Sequence, residues 1–354
     1  ENWNDLIITG REALDQGFDS YYLRMRLGIA YYSKEKYMLT EKHFRKALEF
    51  SEQSADATAY MYYQKLYTSR EKEAHTYYEI DNEYKPKFVS DIYVEAGVKV
   101  SDEKANPRNL RYGLFSLKHE LSTKVSFFHA FQYLERDYID DDGTGSVGPG
   151  PGPQIGNTQL LTSQNEYYAA LDILSGPGFY ISPAYHFQRV LFEGFKYNNY
   201  VLSIALSKDI GITKLYTSAS YSRIDDLNQT QFGVGLTIYP LANQNLYIDN
   251  LIIRQKESDI WRSQFKQRLG FRLSKQIWLE GWYAAGAMRY FNEQNAFIVF
   301  NSPNIINMRY GGGLTWLIKK STLHLHVIKE QKEELDTETP FSYLDFIVGL
   351  NIKF

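Results

Sequence analysis

The chain has 354 residues and a formal net charge of −3, with 39 basic and 42 acidic side chains. This balance does not favour a nucleic-acid partner, and the absence of cysteine excludes disulfides, thiolate nucleophiles and cysteine-ligated zinc. A membrane-spanning helix is excluded because no apolar run reaches about 18 residues. The 30 Tyr, 21 Phe and 5 Trp nevertheless favour a membrane β-barrel. Since the chain begins at Glu1, we expect a mature form without its secretion signal.

Residues 1–85 are predicted to be helical, because apolar positions recur every three or four residues and the first proline is Pro86. A 34-residue unit starting near Tyr21 resembles the tetratricopeptide (TPR) repeat, although Thr40 and Glu52 depart from it. A second, weaker unit follows. The resemblance implies a surface that binds a partner protein, and an ordinary helical hairpin remains the alternative. The residues that carry the pattern, and that we take as candidate partner-binding residues, are Leu27, Gly28, Tyr31, Tyr37, Phe44, Ala47, Ala74 and Tyr78.

From Phe88 onward the apolar period is two, as in residues 232–239, which predicts antiparallel strands. About 14 strands are expected, with 12 or 16 possible. Connections on one side are short, and several on the other side are long, including residues 140–163, 291–305 and 330–340. This segregation is typical of an outer-membrane barrel. The predicted strands are 88–100, 109–122, 124–138, 164–175, 178–190, 195–207, 212–224, 229–240, 245–256, 260–274, 276–291, 306–319, 321–331 and 341–354.

The last predicted strand alternates apolar and polar residues and ends on an aromatic residue. This pattern resembles the C-terminal signal that the barrel assembly machinery recognises, and a soluble edge strand is the alternative. The residues of the predicted assembly signal are Phe346, Val348, Leu350, Ile352 and Phe354.

Together these patterns predict an α+β protein of two domains, with a periplasmic TPR-like domain at 1–85 and an outer-membrane antiparallel β-barrel at 86–354. The architecture resembles YaiO-like barrels and polysaccharide-export porins with periplasmic repeats. The resemblance implies the outer membrane of a Gram-negative bacterium, with its lipids and the barrel assembly machinery as partners. No motif selects one family.

Four cations, Arg262, Lys266, Arg268 and Arg272, share one face of a predicted strand, opposite an apolar row. A charge facing the bilayer midplane costs about 2–4 kcal/mol, so we expect this row to line the lumen. It predicts either a basic wall for anionic solutes or, as we favour, a lumen neutralised by Glu120, Asp345 or Glu280.

Other polar groups give weaker indications of chemistry. His324 and His326 share a strand face, but no third metal ligand is evident, so we interpret them as polar lumen residues. Asp140–Asp142 lack the ligand alternation of a calcium loop and predict a solvated turn, and the Gly- and Pro-rich residues 145–153 predict a loop. We therefore expect no cofactor, no metal and no catalytic residues.

Three functions remain open. We favour a non-enzymatic barrel that anchors a periplasmic docking module, as an accessory subunit of an outer-membrane assembly, secretion or export complex. The alternative is an export pore or porin, for polysaccharide or anionic solutes, whose repeats recruit periplasmic partners. A barrel enzyme is the third and least favoured.

Overall fold

The computed structural model describes residues 2–78, 85–102, 109–140, 158–192, 195–333 and 339–354. Five helices come first: α1 (Trp3–Asp15), α2 (Tyr21–Ser33), α3 (Tyr37–Phe50), α4 (Ala55–Tyr67) and α5 (Glu71–Tyr78). The side chains of Ser20 and Ser54 accept hydrogen bonds from the first turns of α2 and α4, which satisfies backbone donors there. Within the described residues, none of the helices is long and apolar enough to cross a membrane.

Consecutive helices pack on one another around a core that contains Met25, Phe44 and Met61. Gly28 permits the closest approach, because a Cβ atom there would overlap the Phe44 ring. A small residue opposite an aromatic ring therefore fixes how α2 crosses α3.

Fourteen antiparallel strands form one closed barrel in which β16 pairs with β1. The predicted fold class, in which helices precede an antiparallel barrel, is confirmed, with 14 barrel strands. Two further short strands, β12 and β13, form a separate hairpin. The strands are β1 (Asp91–Ser101), β2 (Leu110–Glu120), β3 (Val125–Asp140), β4 (Thr158–Gly176), β5 (Phe179–Phe192), β6 (Phe195–Ile210), β7 (Thr213–Ile224), β8 (Leu227–Ile238), β9 (Leu246–Glu257), β10 (Ile260–Arg272), β11 (Ile277–Met288), β12 (Asn292–Glu293), β13 (Ile298–Val299), β14 (Ile305–Ile318), β15 (Ser321–Glu333) and β16 (Pro340–Lys353).

Alternation along each strand separates an apolar outer surface from a polar interior. On β8, Phe232 and Val234 are exposed outside, whereas Gln229 and Gln231 are buried inside. This is the alternation of a transmembrane barrel. Inside, tyrosine rings cover glycines on neighbouring strands, as Tyr216 does at Gly235, so that the wall is closely packed.

We call the end at which β1 begins the helix-side end, because the helical domain packs there, and the opposite end the far end. The long connection between β11 and β14, which the sequence places at the far end, turns inward and fills part of the lumen. This inward course is the main feature that the sequence pattern did not predict.

Candidate functional site: the barrel lumen and its helix-side mouth

Residues 289–304, which we call the luminal loop, carry β12 and β13 into the barrel. At the loop tip, Ser203 donates a hydrogen bond of 2.7 Å to the Asn295 side chain, and Asn295 donates one of 2.8 Å to the Ser182 carbonyl. Ser182 is the fourth residue of β5 from the helix-side end. The loop tip therefore passes through most of the barrel length.

The loop is held along its length by buried polar side chains of the wall. Gln231 donates a hydrogen bond of 2.8 Å to the Asn292 carbonyl, and His186 Nδ1 lies 2.7 Å from the Ala296 carbonyl. Within the loop, the rings of Phe291 and Phe300 stack with centroids 4.1 Å apart. Satisfied polar groups and a small aromatic core together make the loop a folded part of the lumen.

A chain of buried ion pairs fixes the loop to the opposite wall. Glu293 of β12 lies 2.8 Å from Lys266 and 3.2 Å from Arg309, and Arg309 also lies 3.0 Å from Glu330. Lys99 extends the chain, 2.8 Å from Glu330 and 3.3 Å from Asp345. Removing one member would leave a buried partner uncompensated, which typically costs about 3–5 kcal/mol.

The four cations predicted for the lumen have polar partners. Arg262 lies 3.0 Å from Glu257, Lys266 pairs with Glu293, and Arg268 lies 3.7 Å from Glu280. The guanidinium of Arg272 lies over the Trp278 ring and donates to the carbonyls of Ser274 and Lys275. Of the counter-charges expected from the sequence, Glu280 pairs with this row, whereas Asp345 pairs with Lys99.

Among the described residues, two cavities lie on either side of the luminal loop. One, of about 570 Å³, lies against β5–β11 and is lined by tyrosines including Tyr216, Tyr239 and Tyr247. The other, of about 770 Å³, lies against β1–β4 and β14–β16. Both reach Lys266 and Glu293, so the ion pair that holds the loop lies at their boundary.

The helical domain contacts the helix-side mouth of the barrel. The Met38 amide donates to the Ala242 carbonyl at 2.9 Å, and Asn243 donates to the Glu35 carbonyl at 3.0 Å. Both Ala242 and Asn243 lie in the connection between β8 and β9. Further contacts are Ser69 with Gln244, Lys72 with Asp172, Glu71 with Lys353, Arg70 with Asp209 and Tyr180 with Glu73.

A buried ionic cluster lies in the part of the helical domain nearest the barrel. Lys65 lies 2.9 Å from Glu41 and 3.1 Å from Glu73, and Arg70 lies 2.5 Å from each of the same carboxylates. Burial raises the pKa of Glu41, but the attraction of Lys65 and Arg70 outweighs it and holds the pKa below its usual value. Glu73 shows the same direction, because its hydrogen bond to Arg70 opposes burial.

The candidate partner-binding residues of the helical domain are mostly interior. Leu27, Tyr31, Phe44, Ala47 and Ala74 are buried, and Gly28 lies under Phe44. In the structure these side chains pack the helices together, as a repeat-like spacing requires of core positions, and their contact with a partner stays a prediction. Tyr37 is half-buried and stacks on Tyr67, and the side chain of Tyr78 lies outside the described residues.

The predicted assembly-signal residues of β16 alternate with interior residues. Phe346 and Val348 are exposed on the outer surface, as is Phe354 just beyond the strand, while Leu350 and Ile352 are half-buried. Asp345 on the same strand faces the lumen.

The structure describes the histidine pair but does not describe most of the acidic loop. His324 and His326 line the larger cavity, with Thr315 hydrogen-bonded to His324 at 3.1 Å. Within the described ranges, no group of three or more His, Asp or Glu side chains is placed to hold a metal. Residues 141–157, which include Asp141, Asp142 and the Gly- and Pro-rich segment, lie outside the described residues, as does the side chain of Asp140.

Comparison with known proteins identifies the fold class. Neither a protein-family model nor a curated protein matches the chain, so the TPR family stays a prediction. Among solved structures, the Pseudomonas putida toluene transporter TodX is similar over 75% of this chain and 90% of its own, with 8% identity and a TM-score of 0.53. A TodX deltaS2S3 mutant, described as a monoaromatic hydrocarbon channel, covers 76% and 91% at 8% identity, with a TM-score of 0.54. The chain thus has the fold of an outer-membrane β-barrel.

Proposed function

We propose that this protein is a non-enzymatic barrel of the Gram-negative outer membrane that carries its helical domain in the periplasm as a docking module. In this role it is an accessory subunit of a complex for protein assembly, secretion or export. The observation that carries the proposal is the luminal loop, which fills part of the lumen and is fixed there by hydrogen bonds and buried ion pairs. Such a barrel serves better as an anchor than as an open channel.

The membrane placement is supported by the outer surface. Its exposed side chains are apolar and aromatic along the strands, as on β8 and β16, and the lumen is polar. Short connections at the helix-side end favour the periplasmic side for the helices, because periplasmic turns of such barrels are tight.

The helical domain offers a surface for a partner beyond its contacts with the barrel. Large aromatic side chains remain exposed on it, notably Phe18 at 67% and Tyr22 at 78%, together with Tyr63 and Phe50. Aromatic residues are enriched where protein partners bind. These residues, rather than the buried core positions, are the contacts we assign to a periplasmic or outer-membrane protein.

Co-purification from the native membrane tests this docking role. Deleting residues 1–83 is expected to leave a heat-modifiable barrel that no longer retains partners. The double variant Tyr22→Ser with Tyr63→Ser is expected to lose the same partners with the helices folded, whereas the exposed control Glu12→Ala retains them. Unchanged retention by the deletion would refute docking through the helices.

The alternative is a gated export pore. It is supported by the two cavities of about 570 and 770 Å³ on either side of the luminal loop, because movement of one segment would join them. Under this alternative the helices recruit the periplasmic part of an export route, and the cations of β10 select the solute.

A further inference from the structure

Four basic side chains lie on the outer surface of the barrel near its far end. They are Arg189 on β5, Arg223 on β7, and Arg254 and Lys256 on β9. Along its strand, each of these outward-facing side chains lies between inward-facing ones. For example, the buried Gln255 and Glu257 flank Lys256. We call these four side chains the outer basic row. They do not belong to the lumen, and neither the docking role nor the pore alternative uses them.

Strand geometry places three of them at one level. Arg189 lies ten positions beyond Phe179, Arg223 ten positions beyond Thr213 and Lys256 ten positions beyond Leu246, each counted from the helix-side start of its strand. Barrel strands are tilted by about 35–45° and staggered, so equal positions from one end lie at similar height. Arg254 lies two residues before Lys256 on the same outer face of β9, closer to the helix-side end.

The outer basic row lies at the far edge of the apolar band, by which we mean the belt of exposed apolar side chains around the outer surface of the barrel. Ten strand residues at about 3.3 Å each, tilted by about 40°, rise roughly 25 Å, which is the usual height of that band. Below the row the outer surface carries exposed apolar residues such as Leu215, Val234 and Ile252. Aromatic residues mark the same edge, and Arg254 lies 5.3 Å above the ring of Trp261. Lipid head groups are therefore the surroundings of this row.

The acidic residues that the structure describes near the row, Asp226 and Asp259, compensate it weakly. Asp226 lies 3.0 Å from Arg223, and Asp259 lies 3.6 Å from Lys256, but both side chains are highly exposed, at 84% and 102%. Exposed pairs contribute little, so the cations stay available to a stronger anion. On the other side of the barrel, Arg111 on β2 is paired across the strands with Glu135 on β3.

We propose that the outer basic row binds the phosphate groups of a phosphorylated glycolipid in the outer leaflet of the membrane. Guanidinium groups match phosphate oxygens in two-point hydrogen bonds, and the apolar band below the row accommodates the acyl chains. The site rests on the proposed orientation, with the far end outward, but needs no partner at the helical domain.

Native mass spectrometry of the full-length protein in detergent tests the proposal with a bisphosphorylated diglucosamine glycolipid and its dephosphorylated form. The wild type is expected to retain the phosphorylated lipid at least about tenfold better. The fourfold variant R189Q/R223Q/R254Q/K256Q is expected to lose this preference, whereas the control R111Q keeps it. Heat-modifiable migration verifies that each variant is a folded barrel.

Equal retention of the two lipids by the wild type would overturn the site, as would an unchanged preference in the fourfold variant. An equal loss in R111Q would attribute binding to overall charge and would overturn it too. Deleting residues 1–83 separates this result from the docking role, because lipid retention should persist when partners are lost.

Discussion

At the scale of single residues, Gly28 is the position at which packing of the helical domain has the least room. A Cβ atom at this position would overlap the buried Phe44 ring. We expect Gly28→Ala to destabilise the helical domain by about 1–3 kcal/mol, the usual cost of overpacking a core. The helix signal in circular dichroism during heating measures this. Gly113→Ala, where a Cβ atom meets nothing within 4 Å, is the control and should leave that transition unchanged.

His43 predicts a pH dependence of the same domain. Burial, followed by the cations Lys42 and Arg24, lowers the pKa of His43 from 6.5 to about 4. The unfolded chain therefore binds this proton at a higher pH than the folded one, and stability falls as pH decreases from about 6.5 to about 4, by up to about 3 kcal/mol. His43→Phe preserves stacking on Tyr31. In this variant the midpoint of thermal unfolding should depend less on pH across this range. An unchanged slope in the variant would exclude His43 as the cause.

At the scale of elements, the luminal loop depends on Glu293, which neutralises Lys266 and Arg309. Glu293→Gln leaves Lys266 without its buried counter-charge and leaves Arg309 paired with Glu330 alone, so we expect the loop to detach and conductance in planar bilayers to rise. The control Glu135→Gln removes a carboxylate from the outer surface and should leave conductance unchanged. If the conductance of the Glu293→Gln variant did not rise above that of the wild type, the ion pairs would not be what holds the loop.

The last strand predicts an effect on insertion. β16 closes the barrel against β1, and Phe354 is exposed on the outer surface next to it. Phe354→Ser together with Ile352→Ser should block insertion, while the helical domain still folds. The heat-modifiable barrel in the membrane fraction measures this, and its normal abundance would refute the assembly-signal assignment.

The barrel strands could be predicted from the sequence because each has one apolar and one polar face. The predicted 245–256 and 260–274, for example, are observed as Leu246–Glu257 and Ile260–Arg272. The luminal loop escaped prediction because its contacts are with residues far away in the chain, as between Asn295 and Ser182. Its apolar residues Phe291, Ile298 and Phe300 were a signal that it was not simply solvated.

At the scale of the whole molecule, the predicted two-part order of helices and barrel is observed, but the sequence did not predict how the parts meet. Two of the docking contacts are made by Ala242 and Asn243, which lie in the connection between β8 and β9. The sequence of this connection has no feature that indicates a contact with the helices. The repeat spacing of the helical domain identified positions that pack its core, because such a spacing reports how helices pack and leaves their exposed surface undefined.

We propose that the barrel is an anchor whose lumen conducts few ions because the luminal loop is fixed inside it. Planar-bilayer recordings at low and high salt test this proposal on the wild type and on a variant with residues 290–303 replaced by a short Gly-Ser linker. We expect little conductance from the wild type and a stable conductance from the linker variant. A stable, anion-selective wild-type conductance that is lost when Arg262, Lys266, Arg268 and Arg272 are replaced by Ala, more steeply at low salt, would contradict the claim and establish the pore.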